Sequence, residues 1–526
     1  MKKFNIRLLF LLLLATYGLT VEAQVYQWAR QLGGPGMDYG MEVAVDAKGN
    51  VYSTGLFVNT ADFDPGAGVF ELTAPNPGNA YVSKLDAAGN FVWAQSLGSA
   101  SATEWGVRIA LDIEGNVYTV GRFNGTSDFD PGINNYPLTS AGNRDIYISK
   151  LDSNGNFVWA KAIGGSFDDY ATDLVVDHSG NVVFTGTFRG SVDFDPGTGT
   201  QLLNGGASDD VFLCILNTDG EYVKAISFGG VAMDFCSSLA IDASSNLYLT
   251  GSYFSTVDFD PGTGVQQVTT NGNDDIFILK LDSAANFQWV RSIGGSESDK
   301  GWGITTDADG NVYITGEFTN TVDFDPGLAV NNLTYTGTVF NDMFVLKLDP
   351  DGNFTWVKQI GGLYNENPRG IRIDKDNHVV TAGTFSGTVD FNPGPGTLNF
   401  TVAGAAGSFS NFFISKLDAS GNHLWAGQMG GLGTAVFGGL ITDAMGNLLF
   451  SGYFSSSADF DPAPNLTKNL TANVIDAFVT KIGGTVTGVT PGLVETNIAL
   501  FPNPVIHHLR IENATPGTVY RITDAL

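Results

Sequence analysis

Three observations predict an all-β chain whose repeated four-stranded units close into a ring. The pentapeptide Asp-Phe-Asp-Pro-Gly, or a one-residue variant, starts at Asp62, Asp128, Asp193, Asp258, Asp323, Asp390 and Asp459, with successive spacings of 66, 65, 65, 65, 67 and 69. Each repeat carries four short runs of β-branched and aromatic residues bounded by turn sequences. An unpaired run, Val25 to Leu32 around Trp28, precedes the first complete repeat, and the last run, Asp476 to Ile482, has no successor in its own repeat. The first can complete the last and remove the open sheet edge, a permutation that an open stack of repeats gives no reason for. The predicted fold is a seven-bladed β-propeller over residues 24–484, closed by its N-terminal strand.

The second repeat shows the elements in order. Strands are expected at Val107 to Asp112, Val117 to Phe123, Asp145 to Asp152 and Phe157 to Ile163. Asp112-Ile-Glu-Gly-Asn116 joins the first two and Asp152-Ser-Asn-Gly-Asn156 the last two. In such turns the Asp side chain bonds its own backbone and the Gly takes positive φ. The longer link between the second and third strands carries the Asp-Phe-Asp-Pro-Gly segment.

Of 526 residues, 12% are aromatic and only 15% charged, which excludes a disordered acidic tail. The formal net charge of -28 excludes a binder of nucleic-acid phosphates. Residues 1–23 read as a cleaved secretory signal, with Lys2, Lys3 and Arg7 before the apolar run Leu8 to Leu14 and a small-residue exit at Val21-Glu22-Ala23. Removing three positive charges and one negative gives -28 - 2 = -30. No later stretch approaches the ~20 apolar residues of a membrane helix, so a secreted or cell-surface protein without a membrane span is expected. Cys214 and Cys236 lie in strand-like runs of neighbouring repeats, and two small buried thiols are expected in preference to a disulfide.

Across residues 25–484 the order Gly-Gly-x-x-x-Asp, Ile-Ala-Val-Asp-x-x-Gly-Asn-Val-Tyr-x-Thr-Gly, Asp-Phe, Asp-x-Phe-x-x-Lys-Leu-Asp resembles the SBBP repeat of bacterial seven-bladed β-propellers. The extended Asp-Phe-Asp-Pro-Gly segment departs from the shorter Asp-Phe-Pro of that family. The resemblance implies an architecture and names no ligand. Residues 485–496 read as a linker. Asn497-Ile-Ala-Leu-Phe-Pro-Asn-Pro504 and the runs after it, residues 497–526, resemble the opening of the C-terminal sorting domain of the type IX secretion system of Bacteroidota. That resemblance implies a partner in the export machinery.

Propeller geometry puts the fourth-to-first and second-to-third loops on one face, where acids gather. Asp38, Glu104, Asp169, Asp234, Asp299 and Glu366 stand eight residues before the Asp ending each first strand, with Ala435 in the seventh repeat. Asp64, Asp130, Asp195, Asp260, Asp325 and Asp461 follow further out. Concentric acidic rings would concentrate cations or basic ligands, and calcium is the ion such carboxylates would take. The competing reading is that each Asp bonds amides at a blade corner. No loop has a full calcium-ligand run and no cofactor motif appears.

Four positions before the same Asp stand Glu42, Arg108, Asp173 and Ser238, then Gly303, Gly370 and Gly439, so that polar residues line one half of the axis. Trp105 and Trp302, outside the fourth-strand Trp series, are placed near the channel mouth, where these groups would form either a cross-blade ion pair or a small-ligand pocket. The five His share no motif, and no catalytic residue is assigned. The lysines repeated in the third strands are read as structural. The expected function is a non-catalytic binding or scaffolding module for a protein, glycan or cationic ligand. The alternatives are an extracellular hydrolase or lyase using the axial channel, and a structural adhesin component.

Overall fold

The computed structural model describes residues 24–99, 103–337, 341–402, 409–464 and 466–485, with the short pairs 500–501 and 510–511. Gln24–Gly484 forms a seven-bladed β-propeller of four-stranded antiparallel blades, with no helix among the described residues. The innermost strands are Tyr39–Val45, Glu104–Leu111, Tyr170–Val176, Phe235–Ile241, Lys300–Thr306, Glu366–Ile373 and Ala435–Thr442, and each packs against the next around the axis. In the second blade this strand starts three residues before the predicted boundary, because Glu104, Trp105 and Gly106 already pair with Phe123, Arg122 and Gly121 ahead of a β-bulge.

The seventh blade contains both ends of the propeller chain. Gln24–Leu32 is its outermost strand and lies beside Asp476–Thr485. The Thr480 hydroxyl donates to the Trp28 carbonyl at 3.0 Å, and Gln31 Nε2 donates to the Asp476 carboxylate. On the far side, the Trp28 indole donates to Ala87 O of the first blade at 3.2 Å. The apolar core is divided among seven clusters, each drawn from two adjacent blades. Trp28, Leu32, Ala477 and Val479 lie together in the cluster between the seventh blade and the first.

The repeated motifs act as fasteners between and within blades. Every Asp-Phe-Asp-Pro-Gly Phe is buried at 0–1% exposure and wedges between aromatic residues of the second and third strands. Phe259 meets Tyr253 at 5.3 Å edge-on and Phe277 at 5.3 Å tilted. The first Asp of the segment caps the loop: Asp62 Oδ1 accepts the Asp64 and Phe70 amides at 3.0 and 2.9 Å. The segment also forms a small hairpin that the sequence did not reveal, such as Thr126–Asp128 against Pro137–Thr139. In the first and fourth blades this hairpin is continuous with the long strands Val51–Asp62 and Leu247–Asp258.

The lysine series is structural. Lys84, Lys150, Lys280 and Lys347 sit 4.8–5.1 Å above Tyr52, Tyr118, Tyr248 and Tyr313. Where Val380 and Leu449 replace the Tyr, Lys416 and Lys481 instead bond Asp374 and Asp443 at 2.9 Å. The third blade lacks both partners, with Val183 beside Ile215. The outer-strand Trp series likewise reaches the next blade, as in Trp93 to Ser153 O at 3.3 Å and Trp356 to Ala419 O at 3.1 Å.

Cys214 and Cys236 are free and buried. Desolvation pushes the Cys236 thiol up to about 12 and the Cys214 thiol higher still. The native protein is therefore expected to release no chromophore from an aromatic disulfide reagent, and both thiols to react after unfolding in guanidinium. The tail contributes Leu500–Phe501 antiparallel to Arg510–Ile511. The signal segment and nearly all of the linker and sorting domain expected from sequence lie outside the described residues.

Candidate functional site: the axial channel

Each innermost strand carries a β-bulge at the same place. The register shifts between Gly40 and Glu42, Gly106 and Arg108, Ala171 and Asp173, Cys236 and Ser238, Gly301 and Gly303, Pro368 and Gly370, and Phe437 and Gly439. A bulge re-aims side chains that strict alternation would send into the sheet faces. Here its residues include Trp302 and Arg369, and both line a channel cavity of about 280 Å³. A second cavity of about 360 Å³ lies toward the tight-turn face and is walled by aliphatic residues such as Ile109, Leu174 and Ile304.

The two cavities share a charged belt of Glu42, Arg108, Asp173 and Arg372. Arg108 Nε lies 3.4 Å from Glu42 Oε2 and 3.4 Å from Asp173 Oδ1, so it bridges the first and third blades. Asp173 also accepts the Leu239 amide at 2.7 Å and the Ser238 hydroxyl at 3.0 Å. Desolvation raises Glu42 to about 7 against the opposing pull of Arg108 and Arg372. The glycine half of the ring makes room for this belt, since a Cβ on Gly439 would stand 1.8 Å from Glu42 Oε1. Sequence reading placed Glu42, Arg108, Asp173 and Trp302 here, and the structure brings those four together. Trp105 lines neither cavity: it packs on Tyr39 at 5.4 Å and under Arg122 at 5.0 Å. Arg369, Arg372, Phe235 and Phe437 were missed. Comparing repeats at the bulge position, where Arg369 aligns with Trp302, would have exposed the first of them.

The strand-leading acids are placed differently from a solvent-facing ring. Asp38, Glu104, Asp169, Asp234, Asp299 and Glu366 are all at most 2% exposed. Four of them take the amide of a Gly-Gly pair from the preceding blade: Gly34 to Asp38, Gly165 to Asp169, Gly230 to Asp234 and Gly295 to Asp299, each at 2.7 Å. Glu104 instead accepts from the Ser127 hydroxyl. Where Ala435 has no carboxylate, Asn411 Oδ1 takes the Gly431 amide at 3.2 Å. Further out, Asp64 and Asp260 each accept an amide two residues on, from Gly66 and Gly262 at 2.8 Å. Amide capture at blade corners thus occupies the four aspartates of the inner series and the outer aspartates, whereas Glu104 takes a hydroxyl. Among the described residues one trio, Asp374, Asp376 and His378, has metal-ligand spacing. Lys416 at 2.9 Å from Asp374 and Lys375 at 2.6 Å from Asp376 already neutralise its carboxylates.

Two segments of the chain, residues 27–56 and 288–320, match the SBBP beta-propeller repeat family. The chain is 25% identical over 491 residues to an uncharacterized WD repeat-containing protein of Acanthamoeba polyphaga mimivirus, covering 78% of this chain and 34% of that one. It is 22% identical to the regulatory protein FlaEY of Caulobacter vibrioides, covering 46% and 24% of the two chains. The chain thus spans about a third or less of the length of these relatives. A crystal structure of glucose dehydrogenase aligns at 14% identity and a TM-score of 0.27 over 56% of this chain and 82% of that one.

Proposed function

We propose that this protein is an exported, non-catalytic β-propeller that acts as a binding or scaffolding module at the cell surface or outside the cell, delivered by the type IX machinery through its tail, with the axial cavity as its ligand site. The observation that carries the reading is the break in sevenfold symmetry at the channel. Sequence repeats keep the blade corners alike, whereas the bulge positions hold Met41, Val107, Thr172, Ser237, Trp302, Arg369 and Gly438, seven different residues. Different side chains at one repeated position suit recognition of an asymmetric ligand, which a purely structural ring does not need. Among the described residues no helix is long and apolar enough to cross a membrane.

The test is an unbiased glycan, peptide and metabolite array probed with the native protein and with T172W, which fills the cavity from its wall. Ligands retained by the native chain and lost by T172W are expected. Ligands retained equally by both would remove the channel from the reading. Glu42, raised to about 7 in the channel, favours the alternative of an extracellular hydrolase or lyase. Turnover of an array ligand that disappears in E42Q would establish it.

A further inference from the structure

We infer that the axial cavity takes a small organic monocarboxylate with a flat apolar body, its carboxylate held by Arg369 and Arg372. This rests on the channel being a ligand site and adds the chemical class of the ligand.

The first observation is where the guanidiniums are. Eight arginines occur between residues 24 and 484, and three of them, Arg108, Arg369 and Arg372, line this one cavity of a strongly acidic chain. The second is that two of the three make no ion pair among the described residues. Arg108 is shared by Glu42 and Asp173. Arg372 bonds only the Ile371 carbonyl at 2.9 Å, and Arg369 makes no ion pair or hydrogen bond among the described residues. Arg369 is also accessible to solvent within the channel.

The third observation is the platform. Arg369 lies over Trp302 with its guanidinium carbon 3.5 Å from the ring centroid. Stacking fixes the plane of a guanidinium and leaves its N–H edge free for the two-point contact that a carboxylate makes. Phe235 and Phe437 complete apolar walls that a flat hydrocarbon body would cover. Desolvation by the channel lowers the Arg369 pKa, Glu317 opposes this and Arg108 adds to it, so a bound anion would relieve an electrostatic cost.

Charge and size narrow the class. Among the lining residues three guanidiniums face the carboxylates of Glu42 and Asp173, and Glu317 beside Arg369 is itself paired with Lys300 at 3.8 Å, so the surplus is one positive charge, which matches a monoanion better than phosphate. A cavity of about 280 Å³ falls just below the roughly 300–1,000 Å³ of drug-sized sites, so the ligand is small and no polymer chain is enclosed. A cation would meet Arg369 first.

The experiment is titration calorimetry with benzoate and phenylacetate, set against benzamide, benzylamine and inorganic phosphate. The proteins are the native chain, R369Q, R372Q and T172W, each checked for an unchanged melting curve. Benzoate or phenylacetate is expected to bind the native protein at least about tenfold more tightly than benzamide or phosphate. R369Q should lose that advantage, R372Q should weaken it, and T172W should abolish binding. Absence of carboxylate binding, equal binding by R369Q, or a preference for phosphate or benzylamine would overturn the inference. If array ligands depend on an open cavity while the carboxylates give no heat, the channel remains the site and only the ligand class fails. If array ligands ignore T172W, the site itself fails.

Discussion

A chain that begins at Gly33 is expected to lose its cooperative melting transition and to aggregate, because it lacks the outermost strand of the seventh blade. Deleting Gln24–Leu32 leaves Asp476–Thr485 as an unpaired edge and opens the cluster of Trp28, Leu32, Ala477 and Val479 on the first blade. The single substitution W28A sets the scale. Trp28 is 6% exposed, and removing a buried aromatic side chain of this kind costs about 3–5 kcal/mol. Its indole bond to Ala87 O is lost as well. Thermal melting and light scattering on W28A and on the shortened chain would check this, with the larger effect in the shortened chain. An unchanged melting curve for either would mean that the ring is not held at this seam.

The second large effect is an optimum of stability in mild acid. Desolvation raises Asp38, Asp169, Asp234 and Asp299 from 3.8 to about 7, against the backbone amides that each accepts. Glu104 rises from 4.5 to about 7, and Glu366 from 4.5 to about 9, again by desolvation first. A folded pKa above the unfolded one means that the folded state holds the extra proton. The stability gained is full below the unfolded values near 4 and is lost as pH rises through the folded values near 7. The turn carboxylates act in the opposite direction. Burial raises Asp46 and Asp242, but the hydrogen bonds of Asn50, Lys48 and Tyr52 on the one and of Asn246, Ser244 and Tyr248 on the other outweigh it. Their contribution is present above 3.8 and is lost as pH falls below it. The melting temperature should therefore peak at about pH 4 and fall by several degrees toward pH 8. D299N should flatten the upper limb, since Asn can accept an amide without ionising. A melting temperature that rises steadily from pH 5 to 8 would show that these carboxylates ionise without cost in the folded protein.

The architecture was legible because it is written seven times. The Asp-Phe-Asp-Pro-Gly period fixed the blade number, and the orphan runs around Trp28 and after Asp476 fixed the closure. The lysine and Trp series were also readable, because each exception arrives with its partner, as Ile215 does with Val183. Two features escaped. The strand-leading acids look like a charged rim in sequence, yet the bend at each Gly-Gly pair turns them inward onto backbone amides, as from Gly165 to Asp169. The bulge was hidden for a different reason. Strict alternation would send Trp302 and Arg369 away from the axis, and only the one-residue shift in register brings them into the channel beside Arg108. The axial cavity therefore rests on a departure from strand alternation that every blade repeats, to which a two-residue period is blind.

Ring closure is tested most directly by amide hydrogen exchange of Asp476 to Ile482, compared between the full chain and the chain beginning at Gly33 with and without a synthetic Gln24–Leu32 peptide. The structure predicts strong protection in the full chain, its loss in the shortened chain and its recovery when the peptide is added. Equal protection in all three samples would show that the N-terminal strand does not pair there, and the sevenfold channel would have no closed wall.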